Sequence, residues 1–275
     1  MKIFITGGTG FIGRNFINIV PNEIEIFATT RNKNNSSIKL NRSVNWVYKE
    51  LDCVNYKDLK GMDAVVHFAS AGVSPQKASW DQLYYWNVNC TLLLLRAVAK
   101  AGVRRVLISG SFIEYGLSAN QYDYIPTSAA LLPTTPYASS KAAAFELAYA
   151  FCLEEKISLF YNRIFSAYGE GQFEKNLWPS LRKAAINGED FHMSSGMQIR
   201  DFISVKDVGN TFLQDLILDT SNDFKPKIKN VCSGKGTSVL EFASYWWNKW
   251  NAKGNLIPNK LLDRKDEPVR FVGSL

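Results

Sequence analysis

A glycine-rich turn between a strand and a helix, close to the start of the chain, constrains the fold more than any other feature. A short apolar strand is predicted at residues 2–6, and it leads directly into Gly7-Gly8-Thr9-Gly10-Phe11-Ile12-Gly13. Helically spaced apolar residues follow from Arg14 to Val20, and a second strand is predicted at 24–29. Small residues let the backbone approach a pyrophosphate, and the helix N-terminus supplies N–H donors and partial positive charge. In this context the turn predicts a dinucleotide site, whereas alone it would indicate only a tightly packed turn.

Strand-like and helix-like segments go on alternating up to about residue 165. The further strands are predicted at 45–48, 64–69, 106–109 and 158–161, and the further helices at 87–101 and 137–153. Unbroken apolar strands between helices are typical of a parallel sheet covered on both faces. We therefore predict an α/β fold, a Rossmann-type doubly wound parallel sheet at 1–165. The irregular segment 166–275 is predicted to form mainly a smaller C-terminal substrate-binding lobe, with some segments returning to the Rossmann sheet.

Composition narrows the classes of function. Four scattered cysteines without a CxxC pair, and two histidines, make a disulfide framework or a metal site unexpected. A net charge of +7 favours anionic ligands, but the basic residues are spread along the chain and form no nucleic-acid motif. No apolar run reaches the roughly 18 residues that span a bilayer, and the first apolar stretch is too short for a signal peptide. We expect a cytoplasmic protein that binds a phosphorylated small molecule and neither nucleic acid nor membrane.

The end of the second predicted strand bears on the choice of dinucleotide. It reads Ala28-Thr29-Thr30-Arg31-Asn32-Lys33, and the carboxylate Glu25 lies too early to reach a ribose 2′-hydroxyl. NAD sites usually place a carboxylate at this strand end, whereas a guanidinium such as Arg31 suits the 2′-phosphate of NADP. The alternative is that Arg31 and Lys33 are solvated loop charges. We predict that NADP(H) is preferred and that NAD(H) is the other candidate.

Two further motifs suit proton transfer to a substrate. Tyr137 and Lys141 lie four residues apart on a predicted helix that begins at Pro136, so they share one face. A lysine ammonium beside a phenol lowers the pKa of the phenol, which then exchanges protons near neutral pH. Ser111 follows a predicted strand, at the sheet edge where α/β folds bind ligands. The structural alternatives are a surface Tyr–Lys pair and a serine that caps a loop.

Over nearly its whole length the chain resembles the extended short-chain dehydrogenase/reductase family, which includes nucleotide-sugar epimerases, dehydratases and ketoreductases. The segment Thr6–Gly13 matches the family's glycine fingerprint, and Ser111, Tyr137 and Lys141 take the places of its catalytic serine or threonine, tyrosine and lysine. The resemblance also implies a set of cofactor-binding residues, drawn from the fingerprint, the acidic–hydrophobic pair on the adenine, the strand ends and the two helices. They are Gly7, Thr9, Gly10, Phe11, Ile12, Gly13, Arg31, Asp52, Cys53, Phe68, Ala69, Ala71, Asn87, Tyr137, Lys141 and Ile164.

The same resemblance implies contacts with a nucleotide-diphosphate sugar. Ser111 and Tyr137 are expected to meet the sugar, as is Ser166, which replaces the family's usual asparagine. Arg264, with Glu267 three residues later, resembles a pair that contacts the nucleotide.

Arg200 is implied to bind the diphosphate of that substrate. It lies in the segment 198–208, which resembles a phosphate-binding stretch of the family. A planar guanidinium suits diphosphate oxygens because it donates two parallel hydrogen bonds. The structural alternative is a salt bridge from Arg200 to Asp201 or Asp207.

Three reactions of the family compete for this sequence. Its dehydratases carry Asp-Glu directly after the catalytic serine or threonine, where this chain has Phe112-Ile113, and Glu114 comes one place late. Its epimerases usually show the strand-end carboxylate, which is absent here. Its reductases consume NADPH, which suits Arg31, and residues 110–116 resemble the serine loop of the GDP-4-keto-6-deoxymannose reductases.

The sequence therefore predicts an enzyme of nucleotide-sugar and polysaccharide biosynthesis. The main prediction is NADPH-dependent reduction of the C4 keto group of a nucleotide-linked 4-keto-6-deoxyhexose. The alternative is an NAD(P)-dependent nucleotide-sugar 4-epimerase. A non-catalytic NADP-sensing regulator is the second alternative, although relatives of that kind typically lose the tyrosine or the lysine. A homodimer is compatible with the sequence.

Overall fold

A parallel sheet of seven strands forms the centre of the molecule in the computed structural model, which describes residues 1–31, 40–73, 77–218, 223–262 and 268–275. The strands of the chain are β1 (Lys2–Thr6), β2 (Glu25–Thr30), β3 (Asn45–Tyr48), β4 (Ala64–His67), β5 (Arg105–Ser111), β6 (Ser158–Ile164), β7 (Ser166–Tyr168), β8 (Phe191–His192), β9 (Ile199–Ser204), β10 (Lys227–Val231), β11 (Gly236–Ser238), β12 (Leu256–Ile257) and β13 (Arg270–Phe271). The large sheet has the order β10-β6-β5-β4-β1-β2-β3. The strand order therefore reverses between β1 and β4, which is where such sheets open a crevice for a ligand.

Helices cover both faces of this sheet. They are α1 (Phe11–Ile19), α2 (Tyr56–Leu59), α3 (Trp80–Tyr84), α4 (Cys90–Ala101), α5 (Pro136–Glu154), α6 (Leu177–Asn187), α7 (Val205–Ile217) and α8 (Val239–Lys249). One apolar cluster joins the sheet to α1 and α7, and the other joins it to α4 and α5. Strands β4 and β6 are buried along their whole length. The unbroken apolar sequence of β4 predicted this, whereas β6 also buries the polar Asn162 and Arg163. The predicted α/β fold of the Rossmann type is confirmed.

The second half of the chain contributes to two parts of the molecule. Strand β10 extends the large sheet, next to β6. Strands β7, β9, β11 and β13 form a four-stranded sheet, and β8 pairs with β12. A separate apolar cluster joins α6 to α8, with Leu181 and Trp247 in its interior. The boundary at residue 165 stays a prediction.

Two predicted elements differ in detail from the observed ones. The apolar run 64–69 is a strand only as far as His67, because the chain then leaves the sheet edge. The predicted helix 87–101 begins with a π-helical turn, Tyr85–Asn89, before α4. Within the described ranges no helix is long and apolar enough to cross a membrane, and no cluster of metal-ligating side chains is found.

Candidate active site

The glycine-rich turn at the end of β1 is packed too closely for side chains at two positions. Gly7 has φ +72°, and a Cβ there would lie 2.6 Å from the backbone nitrogen of Ala69. A Cβ on Gly13 would lie 2.3 Å from the carbonyl oxygen of Gly7. Both contacts are far shorter than a Cβ tolerates, so glycine is required for this close approach of β1, β4 and α1.

The same turn leaves the N-terminus of α1 available to an anion. Gly10 is the N-cap residue, is exposed and has no side chain with which to cap the helix. The N–H groups of the first helical turn have no partner within a helix, and they carry its positive partial charge. Thr9, Phe11 and Ile12 are partly exposed on either side of Gly10. This arrangement fits the pyrophosphate of a dinucleotide.

The residues predicted to hold the adenosine half lie at the ends of β2 and β3. Arg31 follows β2 and is exposed, and Lys33 lies outside the described residues. Asp52 accepts a hydrogen bond from the hydroxyl of Tyr85 on Oδ2 at 2.8 Å. Its Oδ1 is buried and has no hydrogen-bond partner in the described part of the chain. A buried carboxylate oxygen of this kind fits an amino group such as that of adenine. Cys53 is exposed beside it.

The predicted catalytic residues lie on β5 and α5, two elements that the side chain of Lys141 joins. Ser111 is the last residue of that strand, and Tyr137 is the second residue of α5. Thr135 caps α5, because its hydroxyl accepts from the Ala138 N–H at 3.2 Å, and Pro136 occupies the first helical position. The buried Lys141 donates from Nζ to the carbonyl of Ser109 at 2.7 Å. That bond ties α5 to the strand carrying Ser111.

The protonation of Tyr137 differs from the sequence-based expectation. The pKa of Tyr137 is raised to about 12: burial is the main cause, a hydrogen bond with Ser70 opposes it, and the charge of Glu114 adds a smaller rise. Burial lowers the pKa of Lys141. The predicted lowering of the phenol pKa by Lys141 is therefore wrong for this structure, since burial dominates and the ammonium is directed to the Ser109 carbonyl. Tyr137 carries its proton at neutral pH.

Asn87 holds the loop after β4 against α5. Its Oδ1 accepts from the Ala71 N–H at 2.8 Å and from the Ser70 hydroxyl at 3.1 Å. Its Nδ2 donates to the Ser140 hydroxyl at 2.9 Å and to the Ala71 carbonyl at 3.2 Å. These bonds use the whole capacity of the amide. In the structure Asn87 thus shapes the wall of the cleft.

Three other predicted cofactor residues lie at or just after strand ends of the large sheet. Two of them pack in the core, and one lies against the glycine-rich turn. The ring of Phe68 packs on Phe16 and Phe212, with centroid distances of 5.4 and 4.8 Å, so its side chain belongs to the core beneath α1 and α7. Ala69 lies against Gly7. Ile164 ends β6, is 9% exposed and belongs to the same core.

The predicted substrate residues are spread along the smaller sheet. Ser166 begins β7, is partly exposed and pairs with Phe202 of β9. Arg264, with Glu267, lies outside the described residues.

Arg200 contacts the C-terminal segment. Its Nη1 donates to the carbonyls of Ile199, Pro268 and Val269 at 2.9, 3.3 and 3.0 Å, and its guanidinium lies 5.3 Å from the ring centroid of Phe271. These contacts give Arg200 a role in holding the chain end to β9.

The two carboxylates considered as partners of Arg200 are engaged with other residues. Asp201 is fully buried and accepts from Ser233, Gly234 and Gly273. Asp207 accepts from the hydroxyl of Ser204 at 2.6 Å.

Sequence reasoning missed a buried ion pair beneath Ser111. Glu114 accepts from Nε of Arg163 at 2.8 Å, and both side chains are almost fully buried. The signal was present: an arginine interrupts the apolar strand Ser158–Ile164, and a glutamate follows the apolar pair Phe112-Ile113. Oppositely charged residues in two buried segments predict a pair, because an unpaired buried charge is very unfavourable.

Comparisons with known proteins agree on one family. The family model described as the NAD dependent epimerase/dehydratase family matches residues 3–232. A UDP-glucose 4-epimerase from Erwinia amylovora is 28% identical over 97% of this chain and 87% of its own length. The structure of MoeE5 in complex with UDP-glucuronic acid and NAD superposes with a TM-score of 0.87 at 25% identity, over 100% of this chain and 90% of that one. A UDP-N-acetylglucosamine 4-epimerase from Methanobrevibacter ruminantium M1 has the same fold, with a TM-score of 0.88 at 23% identity over 100% and 89% of the two chains.

Proposed function

The chain belongs to the NAD dependent epimerase/dehydratase family, and on that premise we propose that it is an NAD(P)-dependent nucleotide-sugar 4-epimerase. The observation that carries the proposal is the bond from Lys141 to Ser109, which joins the helix with Tyr137 to the strand that ends in Ser111. That strand end lies at the same edge of the parallel sheet as the glycine-rich turn. The similarity to curated 4-epimerases supports C4 as the reacting carbon. This reaction was the alternative in the sequence analysis, and the comparisons favour it over 4-ketoreduction.

In the proposed reaction, each residue of the site has a separate role. The bound dinucleotide supplies the acceptor and donor of two electrons for the sugar carbon. Tyr137 takes the proton of the C4 hydroxyl and returns a proton to the C4 oxygen, and Ser111 holds that oxygen by a hydrogen bond. Burial keeps the proton on Tyr137, so Tyr137 acts as the base only when the bound substrate and dinucleotide lower the pKa of its phenol. Lys141, one turn further along α5, holds the carbonyl of Ser109 at the end of β5. The exposed N-terminus of α1 holds the pyrophosphate.

Reduction of a nucleotide-linked 4-keto-6-deoxyhexose by NADPH is the second candidate. Arg31 favours it, because a guanidinium at the end of β2 suits the 2′-phosphate of NADP(H), the dinucleotide that reductases consume. The raised pKa of Tyr137, caused by burial, also suits a general acid. For the cofactor we propose that NADP(H) is preferred and that NAD(H) also binds; the NAD in the MoeE5 complex supports binding of the second.

A substrate panel with two arms separates these functions. In the first arm, UDP-, dTDP- and GDP-hexoses are incubated with catalytic amounts of NAD⁺ or NADP⁺, and C4 epimers are identified by ¹H NMR. In the second arm, 4-keto-6-deoxyhexose nucleotides are mixed with NADPH, and the nicotinamide absorbance is followed. Tyr137→Phe is the control in both arms.

Each outcome has a distinct meaning. Formation of a C4 epimer without net consumption of cofactor supports the epimerase. Consumption of NADPH only in the second arm replaces it with the reductase. Tight NADP(H) binding without turnover in either arm would contradict both and favour the non-catalytic regulator.

A further inference from the structure

We propose that Glu114 is the positioning residue of the active site, because its buried carboxylate locks the backbone of Ser111 to the helix that carries Tyr137 and Lys141. The proposal rests on the proposed function in so far as it takes Ser111 and Tyr137 to act together on one sugar carbon. It assigns a purpose to a buried ion pair that the reaction itself does not use.

The first part of the lock is the hydrogen bonding around Glu114. The side chain is fully buried beneath the end of β5. Its Oε1 accepts from the backbone N–H of Ser111 at 2.7 Å and from the hydroxyl of Tyr161 at 2.9 Å. Its Oε2 accepts from Nε of Arg163 at 2.8 Å. The backbone of Ser111 is therefore fixed by a charge-assisted bond, which is stronger than a bond between neutral groups.

The second part of the lock connects that carboxylate to α5. The hydroxyl of Tyr161, a fully buried residue of β6, shares its one proton between Oε1 of Glu114 at 2.9 Å and the carbonyl oxygen of Lys141 at 3.2 Å. The side chain of Lys141 returns to the carbonyl of Ser109, two residues before Ser111. The contacts thus form a closed ring from the end of β5 through Glu114 and Tyr161 to α5 and back. Any shift of Ser111 relative to Lys141 breaks at least one of them.

Only a carboxylate satisfies this arrangement. Three donors converge on it, one each from Ser111, Tyr161 and Arg163, and an amide in its place would offer a single acceptor atom. A buried ion pair is often no more stabilising than an apolar pair of the same shape, because both charges lose their hydration. Precise placement of Ser111 is a better account of Glu114 than stability.

The charge of Glu114 also acts on both titrating catalytic residues. It raises the pKa of Tyr137, adding to burial, and it raises the pKa of Lys141 against the effect of burial. Within the described ranges, other titratable groups interact with this cluster from β4, β6 and the turn after β5: His67, Tyr161, Arg163 and Tyr115. Removing the charge at position 114 is therefore expected to move the ionisation of Tyr137 to lower pH.

Three variants test the proposal. Glu114→Gln removes the charge and one acceptor, and Tyr161→Phe removes the hydroxyl that bridges Glu114 and α5 but leaves the charge in place. Tyr115→Phe is the matched control, because Tyr115 is equally buried and receives a bond from Arg163 at 3.2 Å, while its own hydroxyl donates to Asn230 at 2.7 Å, away from Ser111.

The expected results separate placement from stability. For Glu114→Gln we expect kcat to fall about 100-fold, with a KM within about threefold of the wild type, because a small misplacement of a catalytic group is costly. For Tyr161→Phe we expect a fall of about tenfold, the value of one lost hydrogen bond. Tyr115→Phe is expected to lower Tm by as much as Tyr161→Phe and to leave kcat unchanged.

Two readouts need no substrate. The exchange of the Ser111 amide hydrogen is expected to accelerate in Glu114→Gln and to stay unchanged in Tyr115→Phe. The ultraviolet titration of Tyr137, taken as a difference from Tyr137→Phe variants, is expected to move to lower pH in Glu114→Gln and to stay in place in Tyr161→Phe.

The proposal is overturned if the two Tyr→Phe variants lose kcat equally, or if exchange at Ser111 is the same in Glu114→Gln and the wild type. If Glu114→Gln does not fold, the comparison of Tyr161→Phe with Tyr115→Phe decides. If no nucleotide sugar is turned over, the proposed function fails, and amide exchange at Ser111 still tests the lock.

Discussion

The two ends of the dinucleotide cleft are built in opposite ways. At the end near α5, polar side chains are buried and bonded to one another, with Lys141 held by Ser109 and Glu114 held by three donors. At the end near β2 and β3, Arg31 and Cys53 are exposed, and Asp52 keeps a buried oxygen without a partner among the described residues. Chemistry needs groups fixed before the substrate arrives, whereas selection of a cofactor needs groups whose bonding capacity is still available.

The largest expected effect lies at the end of the cleft near α5, where the polar side chains are already fixed. Tyr137→Phe is expected to lower turnover by about 10²–10⁴-fold, because it removes the group that moves the proton. The dissociation constant for NADP(H), measured by fluorescence quenching, is expected to stay nearly the same. Tyr84→Phe is the matched control, since the Tyr84 hydroxyl contacts Ser139 at 2.8 Å and lies outside the proposed chemistry. Normal turnover of Tyr137→Phe would show that another group moves the proton.

The glycine-rich turn lies between the two ends of the cleft. Two substitutions in it distinguish an effect on packing from an effect on dinucleotide binding. Gly13→Ala places a methyl group 2.3 Å from the carbonyl of Gly7, and it is expected to lower the free energy of unfolding by about 3 kcal/mol. In Gly10→Ala the new methyl group meets that same oxygen at 3.2 Å, and apart from its chain neighbours no other atom of the described residues lies within 4 Å, so the substitution is expected to cost less than about 1 kcal/mol. Gly10→Ala is instead expected to weaken dinucleotide binding, because Gly10 faces the cleft at the N-terminus of α1. Urea unfolding and cofactor titration of both variants measure the difference, and equal losses of stability would contradict it.

At the end of the cleft near β2 and β3, a substitution is expected to weaken the binding of one dinucleotide selectively. Arg31→Ala is expected to weaken NADPH by about 1–3 kcal/mol, the value of a charge-assisted bond to the 2′-phosphate, and to leave NADH almost unchanged. Isothermal titration with both dinucleotides measures this. Equal losses for the two, or a wild-type preference for NADH, would remove Arg31 from the site.

The smallest expected effect is on the free energy of unfolding, and it concerns His67, a buried residue at the end of β4. Its ring contacts the hydroxyls of Thr6 and Thr91, and burial lowers the pKa of His67 from 6.5 to about 3. Because the folded pKa is the lower one, the contribution to stability is complete above about pH 6.5 and is lost as the pH falls towards 3. Between pH 6.5 and 5.5 we expect the free energy of unfolding to fall by about 1 kcal/mol through this residue.

Two histidine variants isolate that contribution. In His67→Gln the loss over this pH interval is expected to disappear, whereas in His192→Gln it is expected to remain, since His192 is exposed on β8. Denaturant unfolding at each pH gives the comparison. An unchanged slope in His67→Gln would show that another group titrates.

The sequence was informative where one local pattern determines the structure. The turn Gly7–Gly13 and the unbroken strands predicted the fold, because period and packing are properties of a short segment. The spacing of Tyr137 and Lys141 predicted their shared helix for the same reason. The pKa of Tyr137 was predicted in the wrong direction, because burial depends on strands distant in the sequence.

Contacts between distant segments were the part that sequence could not give. The two apolar segments could have suggested that Glu114 pairs with Arg163, but nothing in the sequence indicates that Tyr161 and the Ser111 N–H also bind that carboxylate. Arg200 matched a phosphate-binding segment, yet its Nη1 holds carbonyls of residues 268 and 269, which a local motif does not encode. The hydroxyl of Tyr85 on Asp52 was missed in the same way.

Retention of a hydrogen at C4 tests the proposed epimerase most directly. The nucleotide sugar that the panel identifies as a substrate is prepared with deuterium at C4 and converted with catalytic amounts of dinucleotide, and the product is examined by ¹H NMR. We predict a C4 epimer that keeps its deuterium, because the hydrogen removed from C4 returns to C4 on the opposite face, while Tyr137 exchanges only the hydroxyl proton. A product that carries protium at C4, or conversion that requires stoichiometric NADPH, would contradict the epimerase.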